Sequence, residues 1–359
     1  MFRSTHVRLL GAIMAAGIAI TACGGTTPAA SSAPSTAPSA SAALGQLPTP
    51  ELTKVRIGIS TPTEPVQFAE TLAERLGFYK KYGITTVEVT GFEGDGKALQ
   101  ALVAGQLDFF VGGASTAINS VVTDTPVKVV SMNSTTLTDG LFCGKDIKTP
   151  ADVKGKSVAI STFGGTSHGS ALLMLQGIGL KPNEAVITQV GNEGTRIAAL
   201  KGGSVACGVV GMSQEKAMKD LGLNLLLDLS KAKLQWGRSG LMARTDFLTK
   251  NPNTVLVVVA AALEAQNSIW TDTATATAKF VDWAQVKPDA ADNVMKDFLT
   301  YGSRSMTFTA DAFTAPRDVL ASVNPAVKDV DVTKAFDLSY LQKLQQIGFY
   351  QKNSIPTTN

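Results

Sequence analysis

The stretch GFEGDGKA at residues 91–98 comes within one residue of the phosphate-cradling pattern Gly-x-x-x-x-Gly-Lys-[Ser/Thr]. The position that should supply a Mg2+-binding hydroxyl is Ala98, and the related stretch GNEGTRIA at 191–198 has no Gly-Lys pair. Nucleotide chemistry is therefore set aside. Glu93 and Glu193 hold equivalent places in the two stretches. Two carboxylates facing across a cleft would make an acid–base pair. Each also stands beside a helix start, where the dipole favours negative charge by about 0.3–1 kcal/mol. Their equivalence favours the second reading. Arg196 either reaches a cleft, to pair with a ligand carboxylate or sulfonate, or lies on a solvated helix face.

His168 is the only histidine after His6. A general base needs an oriented nucleophile, and the sequence supplies none. His168 reads as a surface or cleft-rim residue, with a ligand contact left open. One histidine also removes His-cluster metal sites, HExxH and most Ser-His-Asp arrangements. No catalytic residue, metal or cofactor is assigned. Cys143 and Cys207 sit in apolar, strand-like runs. A bridge is allowed in an exported protein, but two cysteines make no framework, and buried free thiols are expected. Trp236 either lines the cleft near a hinge or packs in the core. Trp270 and Trp283 fall on helical patterns and read as core.

The elements that must position these residues are announced by a repeat. GFEGDGKALQALVAGQLDFFVGGAS at 91–115 returns as GNEGTRIAALKGGSVACGVVGMS at 191–213, with two residues fewer near Asp95-Gly96. Further back, VRIGIST at 55–61 returns as SVAIST at 157–162. Each copy then shows an amphipathic stripe: Phe68, Leu72 and Leu76 within 67–79, and Leu172, Leu175 and Ile178 within 168–178. A glycine stop and a second strand follow, at 85–90 or 184–190. Each copy reads as β-α-β-α-β with parallel strands implied by the helical crossovers. The fold class is thus α/β with two lobes, each a mostly parallel sheet flanked by helices, and a ligand cleft between them.

Ligands of open parallel sheets bind beyond the carboxyl ends of the strands. Here those ends are Ser60, Thr61 and Pro62; Gly113, Ala114, Ser115 and Thr116; Thr162, Phe163, Gly164, Thr166 and Ser167; and Gly211 with Met212. Exposed N–H groups at helix starts, together with hydroxyls, suit an anionic or polar head group. Phe163, in a strand-end loop, is placed to pack on the ligand body. Glu64, Glu93 and Glu193 near the rim weigh against a bare anion.

Residues 1–22 combine a basic start, an apolar run at 9–20 and small residues before Cys23, the layout of an export signal. That run is short of the about 20 residues a spanning helix needs. Residues 23–51, almost all Ser, Thr, Ala, Pro and Gly, read as a disordered tether. The expected division of the rest is lobe 1 at 52–145, lobe 2 at 146–235, and a return segment with C-terminal helices at 236–359, packing mainly on lobe 1. The charges, 32 basic against 29 acidic with no basic block, argue against nucleic acid. A monomer is expected.

The segments VRIGIST…FAETLAERLGFYKKYGITTVEVTGFEGDGKALQALVAGQLDFFVGGAST, TPADVKGKSVAISTFGGTSHGSALLMLQGIGL and GLMARTDFLTKNPNTV resemble the alkanesulfonate/nitrate/taurine-type substrate-binding proteins of bacterial ABC importers. The resemblance covers about 55 to the early 260s and rests on order and spacing rather than one sharp motif. It implies a two-lobed periplasmic-binding-protein fold, a small-molecule ligand in the cleft and an ABC permease as membrane partner. The segment ending at Cys23 resembles a bacterial lipoprotein signal, which implies a lipid anchor on the extracytoplasmic side of the cell membrane. The second copy departs from the family's Gly-x-Val-Asp-Ala: Ala206 stands where the first copy has Asp108, an acid that reads as structural. Two rival readings stay open, an enzyme on a scaffold related to thiamine-pyrimidine synthesis and a tethered ligand-sensing domain.

Overall fold

The computed structural model describes residues 44–358. The export signal, Cys23 and most of the expected tether lie outside the described residues. The tether's end does not read as expected. Residues 44–51 pack on the body: Gly45 N donates to Ile347 O at 2.7 Å, and Glu51 accepts from the N–H groups of Asn253 and Thr254 at 3.0 and 2.6 Å. A carboxylate at the start of a helix satisfies N–H groups that have no partner within it. Pairing with a distant helix overrides local composition here.

The strands are β1 (Lys54–Ile59), β2 (Thr86–Gly91), β3 (Phe109–Gly112), β4 (Val127–Thr136), β5 (Asp139–Cys143), β6 (Ser157–Ile160), β7 (Val186–Gln189), β8 (Cys207–Gly211), β9 (Asn224–Asp228) and β10 (Gln235–Arg244). They form two five-stranded sheets, in the order β2-β1-β3-β10-β4 and β7-β6-β8-β5-β9. In the first, β1 pairs parallel with β2 and β3; in the second, β6 pairs parallel with β7 and β8. The reversed strand in each sheet is β10 or β5, antiparallel to both neighbours. Each of these arrives from the other lobe, which explains its direction. The lobe change falls at Leu137-Thr138, between β4 and β5. This corrects the boundary expected at 145/146, because β5 is already in the second sheet. The local signal there, the Thr149-Pro150 turn, only launches β6.

The helices are α1 (Ala69–Arg75), α2 (Phe78–Lys81), α3 (Asp95–Val103), α4 (Ala114–Val122), α5 (Thr166–Gly177), α6 (Glu193–Lys201), α7 (Glu215–Asp220), α8 (Thr245–Lys250), α9 (Pro252–Thr271), α10 (Thr273–Ala284), α11 (Pro288–Tyr301), α12 (Asp311–Ala321), α13 (Ser339–Gln346) and α14 (Phe349–Lys352). The stripe expected to run unbroken over 67–79 is cut at Gly77, whose φ of 75° suits a residue without Cβ. The Thr/Ala-rich α10 is fixed at its start and by an aromatic contact. Its N-cap Asp272 accepts from Thr275 N, and Phe280 stacks edge-on against Phe68.

The largest core joins the first sheet to α9, α11, α12 and α13. In α9, a run of valines with weak intrinsic helix preference is held because Val255, Val257, Val258 and Val259 are all fully buried. Each such side chain contributes about 1.5–3 kcal/mol. By length and apolarity α9 would also span a membrane, but 78% of its apolar window is buried inside the protein. The second sheet is covered on both faces, by cores around α5 and around α6 and α7. The C-terminal helices pack mainly on the first lobe, while Ala315 and Val319 of α12 also reach the core around α5.

Cys143 and Cys207 are not free thiols: they form a disulfide between β5 and β8. The two residues are directly paired across the antiparallel ladder, a proximity the sequence could not show. The bond closes a separation of 64 residues. Replacing both with Ala is expected to lower unfolding stability by about 2–4 kcal/mol, measured by urea unfolding. Wild-type protein in reductant should fall toward the same midpoint.

Candidate functional site

The carboxyl ends of β1, β3 and β6 converge between the lobes. Around Ser60 and Thr61, the Gln67 amide accepts from Thr61 N at 3.0 Å and donates to Ser60 Oγ at 2.8 Å. Ser167 plays a similar part in the second lobe, accepting from Ser161 N at 2.8 Å. Two polar loops are thereby stiffened in matching ways. Between them lies a clasp centred on Asp95, at the start of α3. Its Oδ2 accepts from Thr116 Oγ1 at 2.7 Å within the first lobe. The same oxygen accepts from Thr166 N and Oγ1, each at 3.2 Å, across the lobes. Gly96 N donates to Thr162 Oγ1 at 3.2 Å, and Asn119 Nδ2 to Gly164 O at 2.9 Å. Gly113 permits this approach: a Cβ there would meet Thr166 Oγ1 at 2.0 Å.

Beneath the clasp the floor is charged. Arg238, on β10, donates through one nitrogen to Glu64 Oε2 at 2.6 Å and to Asp139 Oδ1 at 2.9 Å. Burial works against its charge, but the two carboxylates outweigh that and hold the guanidinium protonated more firmly than usual. Arg196 donates to Val209 O at 2.8 Å and Gly191 O at 2.9 Å, and its third nitrogen is 4.0 Å from Glu64. Glu193 Oε1 accepts from Gly211 N at 2.6 Å. Burial, with the nearby Glu64 carboxylate, pushes Glu193 up to about 7. With the lobes in this position, Thr61, Glu64, Gln67, Asp95, Asp139, Ser161, Thr166, Ser167, Arg196 and Arg238 enclose a cavity of about 10 Å3, room for about one water. A larger guest requires the lobes to part.

Of the expected site residues, Thr61, Thr166, Ser167 and Arg196 line this cavity. Ser60, Gly113, Thr116 and Thr162 stand one layer behind it, as described above. Gly211 acts only through its N–H on Glu193. Ala114 is buried against Gly237. Ser115 is buried, with its Oγ unpartnered among the described residues. Pro62 faces a separate groove with Trp283 and Gly91, and Met212 packs against Gly140 while its N–H donates to Thr138 O. Phe163 and Gly164 line an outer groove of about 820 Å3 with His168, Lys181 and Val323. Phe163 is 57% exposed there, edge-on to His168 at 5.3 Å.

His168 Nδ1 accepts from Gly164 N at 3.1 Å, and burial lowers its pKa to about 4. Glu93 is exposed and ion-paired with Lys97, so the two glutamates of the repeat have diverged. Trp236 is fully buried in the second lobe's core. Asp95, Asp139 and Arg238 were missed. Asp95 had a signal, since it lies in the two residues by which the copies differ. Asp139 and Arg238 had none, because only the two lobe crossings bring them together.

The family model described as NMT1/THI5 like matches residues 65–276. The chain belongs to the NMT1/THI5-like family. By sequence, no curated protein matches it. Solved structures share its two-lobed fold. One from Bordetella bronchiseptica RB50 is 21% identical with a TM-score of 0.73, over 83% of this chain and 99% of that one. The alkanesulfonate-binding protein SsuA from Xanthomonas axonopodis pv. citri, bound to MOPS, is 17% identical with a TM-score of 0.66, over 82% and 99%. The periplasmic nitrate-binding protein NrtA from Synechocystis PCC 6803 is 18% identical with a TM-score of 0.64, over 87% and 93%. The fold of this NMT1/THI5-like chain is thus the two-lobed periplasmic-binding-protein fold that the resemblance implied.

Two outcomes follow for this NMT1/THI5-like protein. Gly113→Ala drives a methyl into Thr166, so the lobes should stand apart; small-angle scattering should show a larger radius of gyration than wild type. Glu193 has a raised folded pKa, so its contribution to stability is full below the unfolded value and is lost as pH rises through about 7. Glu193→Gln should therefore flatten the fall in melting temperature between about pH 4.5 and 7. An unchanged fall would place that titration elsewhere.

Proposed function

We propose that this chain is an extracytoplasmic solute-binding protein that captures a small polar organic solute between its lobes and delivers it to an ABC permease. The observation that carries this reading is the convergence of polar strand ends from both lobes on one buried, charged cavity, with two strand crossings joining the lobes among the described residues. Such an arrangement parts and closes by rotation about the crossings. The names of the alkanesulfonate-binding SsuA and periplasmic nitrate-binding NrtA structures support capture of a small solute. Export and lipidation at Cys23 would hold the protein at the membrane surface, which suits delivery to a permease.

The reading is binding without chemistry. Ser161 and Ser167 bond to each other at 2.7 Å, and His168 points its Nδ1 at Gly164 N, so these groups form no nucleophile–base pair. Domain division follows the crossings: a first lobe at about 52–136 with most of 236–358, and a second at about 139–234.

Thermal unfolding of the purified chain against sulfonates, nitrate, aromatic acids, pyrimidines and amines should find a ligand that raises the midpoint, because binding the folded state alone stabilises it. Turnover of that ligand would replace capture with catalysis. Cys23→Ala should move the protein from the membrane fraction to the soluble extracytoplasmic fraction; retention on the membrane would remove the lipid anchor from the proposal.

A further inference from the structure

Hydroxyls and helix starts at the strand ends look like a receptor for an anion, and the structure shows what fills it. Asp95 Oδ2 accepts from Thr116 Oγ1 near the start of α4 and from Thr166 N and Oγ1 at the start of α5. Both helices exceed eight residues, so their N-termini carry the partial positive charge that draws an anion. The chain's own carboxylate takes that place, and the two residues that distinguish the first copy of the repeat bring it there.

The remaining charges do not balance. Glu64, Asp139 and Glu193 face Arg196 and Arg238, and none of the five is more than 6% exposed. One Arg238 nitrogen serves both Glu64 and Asp139, while Arg196 bonds two backbone carbonyls. Burial makes an uncompensated carboxylate costly, which is also why Glu193 is pushed up to about 7. Arg238, which lines the cavity, keeps a buried Nε–H with no partner among the described residues. That donor asks for an acceptor atom on whatever enters.

We propose that the cleft selects a ligand presenting a cationic nitrogen, an ammonium or amidinium, toward Glu64, with a neighbouring acceptor for Arg238, rather than a bare sulfonate or nitrate. This deepens the solute-capture reading and rests on it. An anion entering the cleft would have to displace Asp95 from the helix starts. A cation instead reduces the carboxylate excess when the lobes close.

Thermal unfolding of the full chain with glycinamide and choline as cationic probes, and ethanesulfonate and nitrate as anionic ones, tests the choice. Small-molecule cell extracts retained on cation- or anion-exchange resin form a second arm. The expected result is a raised midpoint with a cationic probe or the cation-exchange fraction, weakened at least tenfold in apparent affinity by Glu64→Gln. A rise only with ethanesulfonate, nitrate or the anion-exchange fraction overturns the inference and leaves solute capture standing. No rise with any probe or fraction overturns solute capture and the inference together. Asp95→Ala should gain a response to ethanesulfonate that Asp95→Asn, of the same shape, gains less strongly; no gain in a folded Asp95→Ala protein would remove Asp95 from the anion receptor.

Discussion

Much of this molecule turns on one guanidinium nitrogen. Arg238 stands on the strand that returns from the second lobe to the first, and it holds Glu64 of one lobe and Asp139 of the other. Asp139 in turn begins the strand that makes the outward crossing and accepts from Ser170 Oγ at 2.5 Å. The ion pairs therefore sit where the chain crosses, at the axis about which the lobes would turn. Buried pairs of this kind add little net stability, because desolvation opposes their attraction, yet losing one partner is severe. Their effect is to define one mutual position of the lobes.

Duplication explains the frame, and its imperfections explain the site. Asp108 of the first copy accepts from Arg56 N and grips the Arg56 side chain at 2.7 and 3.1 Å. In the second copy Ala206 replaces that acid, and Ser157, at the place of Arg56, accepts from Ala206 N at 2.9 Å. The same join between strands is made by different chemistry, so the acid is structural, as its position suggested. Glu93 and Glu193 show the opposite outcome. One is exposed beside Lys97, while the other is sealed beneath Gly211 with a raised pKa. Equivalent residues in related lobes have taken up unrelated electrostatic roles.

The sequence showed most of the strand order within each copy, because the buried β-branched runs, amphipathic stripes and glycine stops are local signals of secondary structure. It also showed that loops at the strand ends would converge. It misplaced the lobe boundary, since Leu137-Thr138 carries no turn chemistry and an extended crossing looks like continuous strand. It left Cys143 and Cys207 unpaired, because the register of β5 against β8 joins segments 64 residues apart. It dissolved residues 44–51 into a tether, since their partners, Thr254 and Ile347, lie some two to three hundred positions away.

Local patterning and composition therefore specify two α/β lobes with polar strand ends and acids near their rim. The division of labour among those groups emerges only in the folded chain: Asp95 across the lobes, Arg238 between two carboxylates, Phe163 and His168 on an outer groove rather than in the cavity. Local periodicity determines which face of an element is buried. It carries no information on which distant side chain completes a hydrogen bond or balances a charge, and a binding site between lobes is made almost wholly of such long-range pairs.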